Sequence, residues 1–308
     1  MLTSVSISVV ICCYTTKRRR VLGAALEAAH GQLTPSDELI IVVDGNDELL
    51  ADLSACRGPS IMLIPNEFDR GLSGARNSGL RRSSGDVVVF LDDDAVLRSG
   101  ALEAVRVAFA DPSVTALGGA VHADWRDGSE PRWFPPEFGW VVGCDYRGLP
   151  SDGSAIRNPI GAAMAVRRQQ LNQIGGFSTA LGRTGTVPTG CEETMMGIEL
   201  VRRDPRARII RRTRFAVSHH VPRDRATLSY FVSRCFHEGR SKAVLASLCG
   251  RSSSLASERS YTMRTLPSGL WRSRWRLTRM LALILGLTVT TSGYLWGSIG
   301  AGRQRGAQ

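Results

Sequence analysis

The sequence predicts an α/β fold in which a mainly parallel sheet is flanked by helices. Over the first 120 residues, apolar runs of strand length alternate with helical segments, which is the pattern of βαβ units. Several of these runs read as buried strands. The chain has 308 residues and 43% apolar residues, so it can form a substantial core.

The first strand is predicted at "VSISVVICCYTT", because this run lacks the basic start and the small-residue cleavage site of a signal peptide. An amphipathic helix is predicted at "RRRVLGAALEAAHGQL". Two further strands follow at "ELIIVVDGN" and "SIMLIPN", and a loop enters a short helix at "GLSGARNSGLRRSSG". The fourth strand is "DVVVFLDDDAV", and the helix "GALEAVRVAFADP" comes after it.

Beyond residue 120 the pattern is less regular. Residues 122–154 are rich in Pro, Gly and aromatic residues and cannot form one regular element. A strand and a short helix are predicted at "NPIGAAMAVRRQQLNQIGGF", and a mobile loop at "LGRTGTVPTG". Then come a helix at "CEETMMGIELVRR", a strand at "ARIIRRTRFAVSHHV" and a long helix at "RATLSYFVSRCFHEGRSKAVLASL".

The net charge of +11 is concentrated in the C-terminal third. Residues 1–200 hold 18 basic and 24 acidic residues, whereas residues 201–308 hold 21 and 4. No RNA-binding motif accompanies this charge, so we do not expect a nucleic-acid partner. The seven cysteines form no CxxC pair, which argues against disulfides and zinc and for a reducing compartment.

The C-terminal segment indicates a membrane. Residues 280–302 carry no charge and are numerous enough to span a bilayer. The segment "LWRSRWRLTR" before them interleaves arginines with tryptophans, which suits the cytoplasmic headgroup region. We predict attachment to the cytoplasmic face of the cell membrane, by a spanning helix or by one lying flat; a packed C-terminal helix is the alternative.

Three consecutive carboxylates, Asp92, Asp93 and Asp94, follow the fourth strand. Asp44 follows the second, and ligands of open α/β sheets bind outside the carboxyl ends of the strands. Like charges this close favour a hard divalent cation, Mg²⁺ or Mn²⁺, which also leaves positions for phosphate oxygens. Strand alternation places Asp93 on the opposite side, where its replacement should matter least.

Other groups each allow two interpretations. Glu192 and Glu193 start a helix, where they either complement the macrodipole or provide a general base. His219 and His220 end a strand and point to opposite faces, so at most one faces the crevice. The aromatic residues could line an acceptor site or form a satellite core; they are Trp125, Trp133, Phe134, Phe138 and Trp140.

Taken in order, "VVICCYTTKR", "IIVVDGN", "GLSGARNSG", "FLDDDAV", "GGF", "CEET" and "VSHHVP" resemble glycosyltransferase family 2, which has the GT-A nucleotide-sugar fold. "DWRDGSEPRWFPPEFGWVVGCDYRGLP" and "HHVPRDRATLSYFVSRCFHEGRSKA" are similar to a branch that includes enzymes like glucosyl-dolichyl-phosphate glucuronosyltransferase.

This resemblance implies a role for each matching residue. Donor contacts would come from Thr15, Asp44, Arg76 and Asp92. Asp94 and His219 would hold Mn²⁺ or Mg²⁺. Glu193 would be the catalytic base, in place of the Asp of the family's usual Glu-Asp pair, which leaves Glu192 as an alternative. We assign the acceptor site to Trp125, Trp140 and Arg183.

The resemblance implies an inverting, metal-dependent glycosyltransferase. It would move a sugar from a nucleotide donor to a hydroxyl of a lipid-linked or polysaccharide acceptor in cell-envelope glycan synthesis. The resemblance favours UDP over GDP as the nucleotide. A nucleotidyltransferase and an inactive membrane-bound scaffold are the alternatives. The first would need a glycine-rich loop after strand one, where the chain has "CYTTKRRR"; the second conflicts with the intact acidic groups.

We predict three regions along the chain. Residues 1–248 form the GT-A domain, with a nucleotide-binding half at 1–120 and an acceptor half at 121–248. Residues 249–270 form a basic linker, and residues 271–302 form an amphipathic or transmembrane helix.

Overall fold

The computed structural model describes residues 5–56, 58, 61–125, 129–182, 190–250, 258 and 261–305. One sheet has the order β3-β2-β1-β4-β7-β6-β8-β5. Its strands are β1 (Ile7–Cys13), β2 (Glu38–Val43), β3 (Ile61–Pro65), β4 (Val87–Asp92), β5 (Ala95–Leu97), β6 (Val114–Trp125), β7 (Ala163–Arg167) and β8 (Arg208–Val221).

Helices cover the sheet. They are α1 (Arg19–His30), α2 (Asp47–Cys56), α3 (Leu72–Arg82), α4 (Ala101–Phe109), α5 (Arg168–Gln173), α6 (Glu192–Arg203), α7 (Leu228–Cys249), α8 (Leu266–Arg272) and α9 (Leu277–Arg305). Short 3₁₀ segments lie at Thr16–Arg18, Pro136–Val142 and Arg223–Ala226, and a π-helical turn lies at Tyr261–Thr265.

The predicted α/β class is confirmed, with a sheet that is mixed rather than uniformly parallel. Strands β1, β2, β3 and β4 pair in parallel, as do β6 and β8. Strand β7 is antiparallel to both β4 and β6, and β5 is antiparallel to β8. The parallel half brings the carboxyl ends of β1, β2 and β4 to one edge, where a crevice forms.

The core lies on both faces of the sheet, because successive side chains of a strand alternate. Val9 and Ile11 pack with Leu22 of α1 on one face. Val10 packs with Ala75 of α3 on the other. A Cβ at Gly79 would overlap the Val10 side chain, so this glycine sets the close approach of α3 to β1.

The structure differs from the sequence expectations at three places. Helix α2 occupies a stretch where the pattern predicted no element. "DVVVFLDDDAV" is two strands: β4 ends at Asp92, and β5 begins at Ala95 on the far edge of the sheet. Within the predicted linker, Tyr261–Thr265 and α8 are helical. The predicted loop at 181–190 falls largely on residues 183–189, outside the described residues.

Helix α9 packs along α7 through small residues. A Cβ at Gly239 would overlap the carbonyl oxygen of Thr290, and one at Gly293 would overlap the carbonyl oxygen of Phe236. Gly286 lies against Phe231 near the start of α7, and Gly297 lies against Ala243 further along it, so α7 and α9 run parallel with their backbones almost touching.

Candidate active site

A cavity of about 710 Å³ opens at the carboxyl ends of β1, β2 and β4. The sequence-predicted residues that line it are Asp44, Arg76, Asp92, Asp94, Trp140, Glu192, Glu193 and His219. Its other end reaches α7 and α9, where Lys242, Thr290 and Tyr294 form part of the wall. The fold therefore brings most of the predicted groups to one cavity, although they come from distant parts of the chain.

The pairing of β5 with β8 joins Asp94 to His219. Ala95 lies opposite His219 in the ladder, and the backbone N–H of His220 donates to the carbonyl oxygen of Asp94 at 2.8 Å. The Nε2 atom of His219 consequently lies 3.0 Å from Oδ1 of Asp94, and both side chains are buried. His219 is thus the histidine of the pair that meets the acidic triplet.

Asp93 lines the cavity, so the expectation that alternation places it on the opposite side is wrong. Strand β4 ends at Asp92, so alternation does not extend to the next residue. Arg18, in the short helix after β1, places Nη1 2.6 Å from Oδ1 of Asp93 and 3.0 Å from Oδ2 of Asp94. The clue in the sequence was the basic run "TKRRR", which follows a strand ending at the same edge.

Burial and neighbouring charged side chains shift the pKa values of Asp93, Asp94 and His219. Burial would raise the pKa of Asp94, but His219, Arg18 and Arg225 outweigh it and hold the pKa well below the ordinary range. Burial raises the pKa of Asp93 to about 6, opposed by Arg18 and assisted by Asp94. Burial would lower the pKa of His219, but the charge of Asp94 and its hydrogen bond raise this pKa to about 10.

Asp92, Asp94 and His219 form a candidate metal centre. One ligand atom from each lies within 4.8 Å of the others. Two carboxylate oxygens and an imidazole nitrogen are donors that suit Mn²⁺ and, less fully, Mg²⁺. The residues present therefore fit a divalent cation.

Arg76 connects the two acidic clusters. Its guanidinium lies 3.1 Å from Oε1 of Glu192, 3.2 Å from Oε1 of Glu193 and 3.6 Å from Oδ1 of Asp92. Gly161 makes room for this arrangement, since a Cβ there would overlap both Glu193 and Arg76. Sequence reasoning missed Gly161, because nothing in "NPIGAAM" indicates which side chains pack against this glycine.

The two glutamates differ in environment. The side chain of Glu192 is 4% exposed and that of Glu193 is 16% exposed. Burial, and then the charge of Glu193, raise the pKa of Glu192 to about 8 against the effect of Arg76. Oε2 of Glu192 has no hydrogen-bond partner among the described residues. Glu193 is therefore the carboxylate more open to the cavity.

At the carboxyl end of β2, Asp44 is held by its neighbours. Its carboxylate accepts hydrogen bonds from the backbone N–H of Gly71 at 3.0 Å and from Nδ2 of Asn66 at 2.7 Å. Thr15 does not line the cavity; its hydroxyl accepts a bond from the N–H of Lys17 and caps the short helix. Tyr14, the preceding residue, does line the cavity.

The structure describes two of the three residues assigned to the acceptor, Trp125 and Trp140. Trp140 lines the cavity. Trp125 packs edge-on against Phe134, with ring centroids 5.7 Å apart, and belongs to the packing around the core. Arg183 lies outside the described residues.

A cluster of ionic side chains at the α7 end of the cavity was not foreseen from the sequence. Lys242 lies 3.1 Å from Glu238 and 2.6 Å from Glu258, and Arg157 reaches Glu258 at 2.7 Å. Arg157 and Glu258 are 101 residues apart in the chain, so no local pattern marks this pair.

Comparison with known proteins gives a consistent picture. The model of "Glycosyl transferase family 2" matches residues 8–175. Glucosyl-dolichyl phosphate glucuronosyltransferase of Haloferax volcanii is 32% identical over 242 residues, covering 78% of this chain and 77% of the relative.

Two solved structures share the fold. Mannosyltransferase PcManGT from Pyrobaculum calidifontis, solved with GDP-Man and Mn²⁺, superposes with a TM-score of 0.60 at 16% identity, covering 94% of this chain and 87% of its own. GalNAc-T7, solved with UDP, GalNAc and Mn²⁺, gives a TM-score of 0.51 at 14% identity, covering 71% and 43%.

Proposed function

The chain belongs to glycosyltransferase family 2, and from that premise we propose that it transfers a sugar, with inversion, from a UDP-sugar to a hydroxyl of a lipid-linked acceptor. The reaction is metal-dependent and serves cell-envelope glycan synthesis. One observation carries the proposal: Asp92, Asp94 and His219 converge in the same cavity as Glu193, so a cation site and a candidate base face one space.

The donor occupies the end of the cavity at the strand termini. Asp44 contacts the nucleobase, and Asp92 contacts the ribose or the sugar. Asp94 and His219 would hold Mn²⁺ or Mg²⁺, with Asp92 as a third candidate ligand. The bound cation would neutralise charge on the diphosphate leaving group. Arg76, fixed by Glu192 and Glu193, adds a positive charge on the same side.

Glu193 acts as the general base. It takes the proton from the acceptor hydroxyl while that oxygen forms a bond to the anomeric carbon. The bond between the anomeric carbon and the diphosphate oxygen breaks, and the nucleoside diphosphate leaves with the electron pair. A single displacement from the opposite face inverts the anomeric configuration. Burial of Glu192 and its raised pKa favour Glu193, since a largely protonated carboxyl is a poor base at neutral pH.

The acceptor enters at the α7 and α9 end. The Haloferax volcanii relative carries glucosyl-dolichyl phosphate in its name, which supports a lipid-linked rather than a free polysaccharide acceptor. Leu277–Ile299 is apolar and long enough to cross a membrane, and α9 supplies cavity residues. We place the enzyme at the cytoplasmic face of the membrane, where nucleotide sugars are available.

The test is donor hydrolysis and transfer over a panel of UDP-, GDP- and dTDP-sugars with and without Mn²⁺. We expect Mn²⁺-dependent turnover of a UDP-sugar and product of inverted configuration by NMR. A product retaining the donor's configuration contradicts the mechanism. Release of pyrophosphate from a nucleoside triphosphate would favour a nucleotidyltransferase, and no turnover with any donor would favour an inactive scaffold.

A further inference from the structure

Helix α9 is apolar around its whole circumference, yet only one side of it is covered. No charged residue occurs between Met280 and Gly302. Ala282, Leu283 and Gly286 are buried against the domain, whereas the opposite side presents large apolar side chains, each 49–67% exposed: Leu281, Ile284, Leu295, Trp296 and Ile299. A helix without a polar face is covered on all sides in its working environment.

The packing of α9 on α7 limits how it can meet a membrane. From Ala282 to Gly297 it lies against the Pro136–Val142 segment and α7, a length of about 24 Å. Residues 298–305 beyond it extend only about 12 Å, whereas an independent span needs about 20 residues. No stretch of α9 that could cross a bilayer is free of the domain.

Helix α7 cannot accompany α9 across hydrocarbon. Over the length that α9 covers, it carries Arg234, Glu238, Arg240 and Lys242, and a charge at the bilayer centre costs about 2.5–3.5 kcal/mol or more. Glu238 and Lys242 also line the cavity, which has to admit a water-soluble donor.

Two hydroxyl groups on the exposed side of α9 are hydrogen-bonded within the helix, which suits an apolar medium. Thr291 donates its hydroxyl hydrogen to the carbonyl oxygen of Leu287 at 2.8 Å, and Ser292 donates to that of Thr288 at 2.9 Å. These bonds satisfy the hydroxyls within the helix, as a water-free environment requires.

The N-terminal approach to α9 has the chemistry of a headgroup region. Trp271 and Trp275 are 68% and 84% exposed, and the guanidinium of Arg274 lies over both rings, 4.2 and 5.5 Å from their centroids. Arg272 and Arg276 are exposed beside them. Exposed arginines attract anionic lipid and would repel the same patch of a second copy.

We infer that α9 is an in-plane anchor: it stays docked on α7 and buries its outer side in the surface of an anionic bilayer without crossing it. This inference rests on the membrane association proposed above. Leu287, Thr290, Thr291 and Tyr294 of α9 also line the cavity. The anchor is therefore one wall of the cavity, and a lipid-linked acceptor reaches Glu193 from the plane of the membrane.

Single cysteines at the two ends of α9 test the orientation. Thr278→Cys and Ser298→Cys are at least partly exposed positions outside the row of large apolar side chains, about 30 Å apart along the helix, and the six native cysteines whose side chains are described are buried. Full-length variants are treated with a membrane-impermeant maleimide in inverted vesicles and in intact spheroplasts, with the unmodified chain as background. We expect both ends to react from the same side; reaction from opposite sides overturns the inference.

Vesicle binding tests the lipid-facing side. We expect Leu295→Glu to weaken binding of the purified full-length chain to phosphatidylglycerol vesicles about tenfold or more. The matched control is Val107→Glu, an exposed apolar position on α4, which should bind as the wild type. Equal binding of Leu295→Glu overturns the inference, as does self-association without lipid that this substitution abolishes.

These outcomes are separable from failure of the proposed function. A wild-type chain that binds no membrane contradicts the membrane association itself. Mn²⁺-dependent donor binding is measured on the same samples, and its absence would count against the proposed reaction while the labelling result still decides the orientation of α9.

Discussion

The Nε2 atom of His219 lies 3.0 Å from Oδ1 of Asp94, and this contact depends on a strand that the chain inserts directly after the acidic triplet. Strand β5 crosses to the far edge of the sheet and pairs with β8, with Ala95 opposite His219. Without that crossing, a histidine from the end of the domain could not meet a carboxylate from its middle. The pair, together with Asp92, is where we expect the cation.

Asp94→Asn should abolish the effect of Mn²⁺ on stability. A ligand that binds only the folded chain stabilises it by about 2.7 kcal/mol at a hundredfold excess over Kd. We expect Mn²⁺ with UDP to raise the Tm of the wild type and of Asp47→Asn, an exposed control on α2, and to leave the Tm of Asp94→Asn unchanged. An equal rise in all three would remove Asp94 from the cation site.

Glu193→Gln should bind the donor normally and lose transfer by about 10²–10⁴-fold, the usual contribution of a general base. Initial rates and donor affinity by calorimetry separate the two effects. Glu192→Gln, adjacent and more deeply buried, is the matched comparison and should retain most activity. The reverse result would make Glu192 the base.

Glu192 should make stability depend on pH. Burial and Glu193 raise its pKa from 4.5 to about 8, so the folded chain binds this proton more tightly than the unfolded chain. That stabilisation is complete below pH 4.5 and is lost as the pH rises through about 8. Because Glu192→Gln does not titrate, its Tm relative to the wild type should increase across this window.

Thermal unfolding at a series of pH values measures the effect. Glu103→Gln, whose side chain is 70% exposed on α4, is the control and should run parallel to the wild type. A difference between Glu192→Gln and the wild type that stays constant with pH would contradict the raised pKa.

Arg18→Met should destabilise the chain, because Asp93 and Asp94 would remain buried side by side without this partner. Breaking a buried ion pair costs about 3–5 kcal/mol. Mn²⁺ should restore more stability to this variant than it adds to the wild type, since a cation relieves the same repulsion.

The neighbouring Arg19 gives the matched control for Arg18. Its ion pair with Asp52 is at the surface, with both side chains more than a third exposed, so Arg19→Met should cost no more than about 1 kcal/mol. Urea unfolding measures both variants. Equal losses would mean that Arg18 has no special relation to the triplet.

Gly293→Ala should weaken the docking of α9, because the added Cβ overlaps the carbonyl oxygen of Phe236. Overpacking of this kind costs about 1–3 kcal/mol. Gly23→Ala in α1 meets nothing within 4 Å and should be neutral or stabilising by up to about 1 kcal/mol. Limited proteolysis and thermal unfolding compare the two. A harmless Gly293→Ala would show that α9 does not pack closely on α7.

Much of the site could be predicted because its signals are local. Asp44 and Asp92 end apolar runs that read as strands, and strand ends in a parallel sheet share an edge. Glu192 and Glu193 start a helix that the sequence pattern also predicts. Thr15, expected near the nucleotide, caps a short helix and does not line the cavity, so its role stays a prediction.

The sequence by itself determined the α/β class, the positions of most strands and helices, and the family, since hydrophobic period and short motifs are properties of neighbouring residues. Only the tertiary structure decided that β5 leaves β4 for the far edge, that Arg18 meets Asp93, that Gly161 makes room for Arg76 and Glu193, and that α9 lies on α7. Each of these contacts joins residues far apart in the chain, and the free energy that selects them comes from packing and charge pairing in the folded state.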